Sequence, residues 1–287
     1  MQNLYTLASS RNDSHEVLNE SEKFSIFYHD IFDYPLTFAD LIKWNPAPPF
    51  PIRKHDSSVV HQGDYLFLQG RAGLIFKRLL RERISAKKME IAKKASEVLS
   101  LVPSVKMVSV TGSLAMADAA DESDIDLFVI TSANLLWITR LLVYFILKVY
   151  KFDLRKAGDK NQKDKLCLNM WMDESCLSWT SPRNIYTAHE IAQIIPLINK
   201  SKTYEMFIGK NNWISNFWPN AVRIVKQESR SRNDVYKKYL FALVEKTAYW
   251  IQYRHMKKRM SREIVSPSRA IFHPQDWGEI VLRRLSP

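Results

Sequence analysis

The sequence predicts an α+β protein, because amphipathic helical segments flank a central region in which two β-rich runs are separated by a glycine turn. Hydrophobic residues make up 46% and charged residues 25% of the 287 positions, which is typical of a chain that folds around a buried core. That length indicates one large domain or two ordinary ones. We expect four segments: a flexible tail (1–20), an N-terminal module (21–70), a central core (71–182) and a helical C-terminal region (183–287).

The N-terminal module begins with a predicted helix. Its apolar residues recur at helical spacing from position 22 onward, as Phe24, Phe27, Tyr28 and Ile31. The Tyr34-Pro35 pair ends this helix, because the residue before a proline is pushed out of the α region. Thr37, with Asp40 three residues later, predicts an N-cap and a second short helix that runs through Trp44.

Extended chain follows these two helices. Four prolines between Asn45 and Pro51 exclude helix and central strand there and predict a linker. Two extended stretches, 57–60 and 65–68, are separated by a turn at Gly63 and predict a hairpin. The pattern then predicts a long helix over about Arg71–Leu101.

This order of elements resembles a winged-helix module with additional material. The resemblance implies either DNA binding or a packing and partner-docking role, since fold does not fix function. The long helix carries nine cations, Arg71, Lys77, Arg78, Arg81, Arg83, Lys87, Lys88, Lys93 and Lys94. We interpret them as a solvated face, with one wall of a phosphate site as the alternative.

Composition excludes several classes of protein. Cys167 and Cys176 are the only cysteines, too few for a disulfide framework or a cysteine-based zinc site, and we expect a reducing, cytoplasmic environment. The first residues do not have the pattern of a secretory signal. The apolar stretch Leu135–Val149 is interrupted by Arg140 and Lys148, so no transmembrane segment is predicted. We interpret it as a buried helix, with an interfacial membrane helix as the alternative.

The net charge of +12 is compatible with nucleic acid, nucleotides or an acidic membrane surface as partners. Net charge affects association and solubility in general, so it does not distinguish among these three kinds of partner. Nucleic acid therefore stays one possible partner among several.

The strongest chemical signal lies between positions 107 and 131. A β-rich run ends at Gly112-Ser113, and glycine is scarce here, with 7 in the whole chain. Glycine lets the backbone approach a phosphate, and the amides at a helix start together with the Ser113 hydroxyl can bind phosphate oxygens. Farther on, Asp124 and Asp126 alternate with apolar residues, so they share one face of a strand. Such a carboxylate pair predicts a divalent cation.

This segment resembles the signature of the polymerase-β-like nucleotidyltransferase superfamily: a Gly-Ser, a spacer of about ten residues, and Asp-x-Asp followed by an apolar strand. The resemblance implies a small mixed sheet with helices on one side. It also implies that Gly112 and Ser113 hold the triphosphate of an NTP, and that Asp124 and Asp126 bind two Mg²⁺ (or Mn²⁺) ions that bridge the phosphates.

The same family uses a third carboxylate on a later strand, and this chain departs from that pattern. On the predicted strand 165–172 the expected position is Cys167. Alternation places Cys167, Asn169 and Trp171 on one face, opposite Met170 and Met172, and by parity Asp173 shares the face of Cys167. Asn169 can coordinate a cation through its amide oxygen but cannot accept a proton. The open alternatives are a base elsewhere, such as Asp173, nucleotide binding with little transfer, or metal-bound water as the base.

Three further features of the sequence carry weaker signals. Arg140, in the apolar helix, can reach nucleotide phosphates or pair with an acid in the core. The His189-Glu190 pair lacks the second histidine of a zincin motif, so we interpret His189 as a surface or capping residue. A long helix is predicted over Val235–Met260, with a basic polar side and an irregular chain after it. Its predicted apolar side consists of Tyr239, Leu240, Leu243, Val244 and Tyr249.

The sequence therefore predicts a metal-dependent nucleotidyltransferase that moves a nucleoside monophosphate from an NTP to an unknown hydroxyl-type acceptor and releases pyrophosphate. The alternative is a nucleotide-binding regulator, or an antitoxin-like protein, that binds DNA or a protein partner and has weak or no transferase activity.

Overall fold

The computed structural model describes residues 18–48, 58–156, 158–180, 182–223, 238–258, 260, 263–272 and 277–285. Within these ranges the chain is an α+β structure, as predicted, with one three-stranded sheet and one six-stranded sheet. Every helix in the described ranges is too short or too polar to cross a membrane. Residues 1–17 of the predicted tail lie outside the described part of the chain.

Capping boxes begin both helices of the N-terminal unit. The side chains of Asn19 and Thr37 accept the backbone N–H groups of Glu22 and Asp40, and these acids in turn accept the cap amides. The three strands pair antiparallel in the order β1-β3-β2, and the predicted turn at Gly63 joins β2 to β3. The elements are α1 (Glu20–Asp30), β1 (Leu36–Thr37), α2 (Phe38–Lys43), β2 (Val59–Gln62) and β3 (Tyr65–Leu68). Residues 49–57, with part of the predicted linker, lie outside the described chain.

Helix α3 (Gly73–Ser100) is the predicted long basic helix, but a solvated face does not describe all of its cations. Arg78 is 7% exposed and bonds to Asp40, Glu82 and the carbonyl of Pro35. Lys88 is 1% exposed. Its Nζ donates to the carbonyls of Asp121 (3.0 Å) and Ser123 (2.8 Å) and to Asp164 Oδ1 (2.7 Å). These buried cations fasten α3 to the N-terminal unit and to the loop before Asp124.

The six-stranded sheet has the order β7-β4-β5-β6-β9-β8. Only the β5–β6 pair is parallel among the pairings of the described strands. The elements after α3 are β4 (Val105–Val110), α4 (Gly112–Ala115), β5 (Ile125–Thr131), α5 (Leu136–Val149), β6 (Leu166–Asp173), α6 (Ile185–Ala192), β7 (Ile195–Asn199), α7 (Thr203–Lys210), α8 (Lys238–Lys257), β8 (Ile264–Ser266), β9 (Arg269–Ile271) and α9 (Trp277–Leu285). Short 3₁₀ turns occur at Lys200–Lys202 and Asn212–Asn216.

Helices cover both faces of this sheet, whereas the family resemblance implied one. On the first face α6, α7 and α9 pack against Phe128, Ile130 and Met172. On the second face α3 and α5 pack against Val129 and Trp171. The interior of the sheet is therefore mostly apolar on both sides, and Ser109 and Asn169 are buried polar residues within its strands.

The C-terminal third differs most from its prediction. The sequence indicated helices and irregular chain, but β7, β8 and β9 form the two edges of the main sheet. Helix α8 lies within the predicted span, yet it buries Glu245, Ala248 and Gln252 and leaves Leu243 (70%) and Val244 (51%) exposed. The predicted apolar side is therefore wrong at Leu243 and Val244. The side chains of Tyr239 and Leu240 lie outside the described residues.

Candidate functional site

Gly112 lies where β4 turns into the short helix α4, directly beside β5. The backbone N–H of Thr111 donates to the carbonyl of Asp126 at 3.1 Å, so the turn is fixed to the aspartate strand. Gly112 has a φ of +61°, and a Cβ there would lie 3.0 Å from Asp126 Oδ2. Both the conformation and the close approach require glycine. Ser113, the next residue, is exposed at the start of α4.

The structure brings together Asp124, Asp126 and Cys167. One ligand atom from each of the three lies within 4.8 Å of the others, and all three residues are partly buried. Carboxylate oxygens and a thiolate are both metal ligands, so the cluster has the donor atoms of a cation site. Exposed acids commonly gather without an ion, so the cluster by itself is not sufficient evidence for one.

Asn169 supplies a second observation. Its Nδ2 donates to Asp126 Oδ1 at 2.6 Å, while its Oδ1 is buried with no hydrogen-bond partner among the described residues. The residue is 7% exposed. A buried polar oxygen without a partner costs about 1–3 kcal/mol, and a bound cation or a donor group would relieve this cost. The Asp124 and Asp126 carboxylates therefore fit a divalent cation, with the Cys167 sulfur beside them and the partnerless Asn169 oxygen on the side chain that is hydrogen-bonded to Asp126.

A register shift in β6 changes the predicted faces of that strand. Asp126 pairs with Cys167 and Phe128 pairs with Met170, so β6 has one residue more than β5 over this interval. Such a bulge reverses the alternation after it. Met170 and Met172 consequently face α6 along with Phe128, and Trp171 faces the other core, the reverse of the predicted arrangement.

The same bulge turns Asp173 away from the aspartate pair. Asp173 pairs with Thr131, on the sheet face opposite to that of Phe128 and Ile130. Its carboxylate accepts the backbone N–H groups of Asn134 and Ser175, both at 2.9 Å. The structure therefore gives Asp173 a turn-capping position and does not bring it to the predicted third-ligand position.

Arg155 is a site residue that sequence reasoning missed. Its guanidinium donates to Asp124 Oδ2 at 2.6 Å and lies 3.5 Å from the sulfur of Cys167. The pair is partly exposed, with 33% of the Arg155 side chain accessible. Arg155 lies in the loop between α5 and β6, where no motif or periodicity marks it. In this arrangement the positive charge of Arg155 balances the negative charge of Asp124.

Burial and mutual repulsion shift the pKa values of this cluster. The pKa of Asp126 is raised to about 7, first by burial and then by the charge of Asp124, while Cys167 and Arg155 oppose the shift. Burial, followed by the charges of Asp126 and Asp124, raises the pKa of the Cys167 thiol. A thiol in such surroundings is neutral unless a cation stabilises its thiolate.

Glu190 lies on α6, which packs on the first sheet face, the face to which Asp126 belongs by alternation with Phe128. Its pKa is raised to about 7 by burial and then by the charge of Asp126, and a hydrogen bond from Gln193 opposes the rise. Gln193 Nε2 donates to Glu190 Oε1 at 2.8 Å. The sequence drew attention to His189-Glu190, but helical periodicity could not show that Glu190 is oriented toward the aspartate strand.

His189 is buried rather than at the surface, which corrects its sequence interpretation. His29 donates from Nδ1 to the carbonyl of Ser25 at 2.8 Å, so its Nε2 accepts from His189 Nε2 at 3.1 Å. Trp44 stacks on His189 with ring centroids 3.9 Å apart. Gln193 hydrogen-bonds both His189 and Glu190. The two imidazoles and Gln193 therefore connect α1 to Glu190.

Arg140 lies on α5, and its side chain packs against α8. Its guanidinium donates to Gln252 Oε1 at 2.7 Å and lies over the rings of Tyr144 (4.8 Å) and Phe272 (5.3 Å). The partners of Arg140 are therefore an amide oxygen and the faces of aromatic rings. These contacts match neither of its predicted roles, which were a contact with nucleotide phosphates and an ion pair with a core acid.

No protein-family model matches this sequence, and a search of curated proteins finds no significant match.

Proposed function

We propose that this chain is a divalent-cation-dependent nucleotidyltransferase of the polymerase-β-like class. It would transfer a nucleoside monophosphate from an NTP to a hydroxyl-type acceptor and release pyrophosphate. The observation that carries the proposal is the contact between Gly112 and the Asp126 carboxylate, beside a donor cluster whose Asn169 oxygen has no partner among the described residues. The proposed phosphate turn would thereby lie next to the proposed cation site.

Each residue has a chemical role in this proposal. Gly112 and Ser113 would hold phosphate oxygens through the backbone and the exposed hydroxyl. Asp124 and Asp126 would hold the cation, Mg²⁺ or Mn²⁺, because both ions prefer oxygen ligands, whereas the Cys167 thiol would lie beside the cation without binding it. When bound, the cation would neutralise negative charge on the phosphates and the attacking oxygen. Arg155 donates to Asp124, so it stands close enough to help neutralise the phosphates.

Glu190 is the proposed proton acceptor for the attacking hydroxyl, in place of the carboxylate that Cys167 lacks. A general base works best with a pKa near the working pH, and the pKa of Glu190 is raised to about 7. Its orientation is set by Gln193, which also hydrogen-bonds His189.

The proposal can be tested with purified full-length protein, labelled NTPs, Mg²⁺ or Mn²⁺, and a cell extract as the source of acceptors. We expect label to enter one component of the extract, and Asp124→Ala/Asp126→Ala to abolish the transfer. Asp64→Ala is the matched control, because Asp64 is an exposed carboxylate on the hairpin turn. Incorporation that persists in the double variant would contradict the proposal.

A second candidate function is a nucleotide-binding regulator with little or no transfer. The ion pair between Arg155 and Asp124, next to a cysteine instead of the third carboxylate, favours it. Here the N-terminal unit would act as the winged-helix-like module, supported by its order of two helices and a hairpin, and would bind DNA or a protein. Nucleotide binding without transfer to any extract component would favour this function. DNA binding that falls steeply with salt would identify nucleic acid as the partner.

A further inference from the structure

Helix α5 exposes a continuous stripe of large apolar side chains. Leu141, Phe145 and Val149 lie four residues apart on one line and are 50%, 65% and 59% exposed. Leu142 (44%) and Tyr150 (54%) lie beside them. The sequence predicted a buried helix here, with an interfacial membrane helix as the alternative. Only the other side of the helix, with Trp137, Val143 and Leu147, is buried.

Helix α8 packs against α5 and extends this exposed apolar area. The two helices are joined by the Arg140–Gln252 hydrogen bond and by the contact between the rings of Trp137 and Tyr249. On the outer side of α8, Trp250 is 57% and Ile251 59% exposed. We call the exposed side chains of 141–151 and 242–258 the α5–α8 surface. Single exposed apolar residues are common, but two adjoining helices with such exposure mark an interaction site.

The charged groups of this surface all have one sign. Its exposed ionisable residues are Lys148, Lys151, Lys246, Arg254, His255, Lys257 and Lys258. Glu245 is the only acid in these two segments, and it is buried. Its carboxylate accepts the backbone N–H groups of Trp137 (2.6 Å) and Ile138 (2.9 Å), so it caps α5 and does not offset the exposed cations.

We propose that the α5–α8 surface binds the face of an anionic lipid membrane. Leucine, valine, isoleucine and phenylalanine side chains gain by entering the acyl region, while lysine and arginine remain with the phosphate head groups. Trp250 and Tyr150 are amphipathic residues of the kind that settle at the boundary between these regions.

Basic and aromatic side chains lie together near the end of α8. Trp250, Tyr253, Arg254, Lys257 and Lys258 line an open surface recess of about 540 Å³ on this one helix. The Arg254 guanidinium lies 5.2 Å from the centre of the Trp250 ring, which holds it beside the apolar area. Three cations around this open recess match the negative charge of a lipid phosphate.

Two other occupants fit this surface less well. A second copy of the chain, joined by a twofold axis, would bring this surface against itself and place cations against cations. A single-stranded nucleic acid would use the cations and Trp250, but it would leave Leu141, Phe145 and Val149 without an apolar partner. The membrane proposal accounts for both the charge and the aliphatic side chains, and it does not depend on the reaction at Asp124 and Asp126.

The test is cosedimentation of the full chain with vesicles of phosphatidylcholine alone or with 30% phosphatidylserine. We expect binding to the anionic vesicles at low salt, much weaker binding to the neutral ones, and loss in 0.5 M salt. Leu141→Ser/Phe145→Ser should weaken binding at least tenfold. Lys148→Glu/Lys257→Glu should also weaken binding at least tenfold, since each lysine contributes about fivefold.

The matched control is Phe76→Ser, because Phe76 is 74% exposed on α3, a different helix. It should bind like the unchanged chain, and circular dichroism checks that every variant is folded. Three outcomes would overturn the proposal: no anionic vesicle binding, binding that the double variants leave unchanged, or a dimer in light scattering that only the apolar double variant disrupts. Tight single-stranded RNA binding that anionic vesicles fail to displace would also count against it.

Discussion

Gly112 is the residue at which the sequence motif and the structure agree most closely. Its left-handed conformation and its position against Asp126 Oδ2 each restrict the residue type, and together they leave only glycine. A side chain at position 112 should therefore affect both the stability of the turn and the position of the Asp126 carboxylate.

Replacing Gly112 with alanine should lower the free energy of unfolding by about 1–3 kcal/mol, because the new Cβ is strained and displaces the Asp126 carboxylate. Urea denaturation and a Mn²⁺ titration check both effects. Gly73→Ala is the control, since its Cβ would meet no atom within 4 Å and α3 begins there. We expect that change to be neutral or slightly stabilising. Equal losses in the two variants would refute the explanation.

Replacing Glu190 with glutamine should lower the rate of transfer about 10²–10⁴-fold if Glu190 accepts the proton. The acid is active when deprotonated, and its pKa is raised to about 7, so the rate should rise as the pH increases through about 7. This rise should be shallower in Glu190→Gln, where only Asp126, whose pKa is also raised to about 7, still has to lose its proton. Initial rates between pH 5.5 and 9 provide the measurement, and Glu97→Gln, at an exposed position on α3, is the control. An unchanged pH profile in Glu190→Gln would assign the proton to another group.

At the scale of elements, the sequence predicts strand β6 but does not predict the bulge within it. The strand itself follows from its alternating residues, and Asp124 and Asp126 lie near Cys167 as the motif suggests. Strict alternation then misplaces Trp171 and Asp173, because one additional residue reverses every position after it. Propensities do not mark a bulge without glycine, so this difference could not be predicted locally.

Arg155 and Glu190 are site residues that the sequence likewise could not predict. Gly112 and the two aspartates lie within one short segment, so a local motif finds them. Arg155 comes from an irregular loop and contacts Asp124, while Glu190 comes from a helix on the sheet face and experiences the charge of Asp126, and both relations arise only through tertiary packing. The pattern of charges along the sequence does not show which residues approach each other in the folded chain.

Helix α3 stabilises the site through Lys88. Lys88→Ala removes a buried cation from two carbonyls and the Asp164 carboxylate, and it should cost about 3 kcal/mol of unfolding free energy. The loop before Asp124 should loosen, so Mn²⁺ affinity should fall as well. Urea denaturation and Mn²⁺ titration measure these effects, and Lys87→Ala, at an exposed neighbour, is the control. A stability like that of Lys87→Ala would disprove the anchoring role.

At the scale of the whole molecule, the contact between His29 and His189 joins the N-terminal unit to the sheet face that bears Glu190. Both rings are buried, and Trp44 and Trp218 lie against them. The contact depends on neutral imidazoles, because two protonated rings 3.1 Å apart would repel each other and lose their acceptor. Acid should therefore weaken the connection between the two parts of the chain.

Burial lowers the pKa of His29 to about 4, and burial followed by the charge of His29 lowers that of His189 further below its ordinary value. Between about pH 6.5 and 4 the unfolded chain binds protons that the folded chain excludes, so stability should fall as the pH drops. His29 alone accounts for about 3 kcal/mol. Unfolding free energies of the unchanged chain and His29→Gln over this range provide the test, with His61→Gln, an exposed histidine, as the control. An identical pH slope in all three proteins would contradict it.

The edges of the six-stranded sheet have a consequence for synthesis of the chain. Strand β7 forms one edge and β8 the other, and both come from the C-terminal third, long after the strands that carry Gly112 and the aspartates. Until residues 264–271 leave the ribosome, the side of β6 that later pairs with β9 has no partner strand, although the residues of the candidate site are already synthesised. A nascent chain interrupted before that point would expose the backbone N–H and C=O groups of Met170–Met172 as an unpaired edge, so it should aggregate more readily than a chain that includes β9.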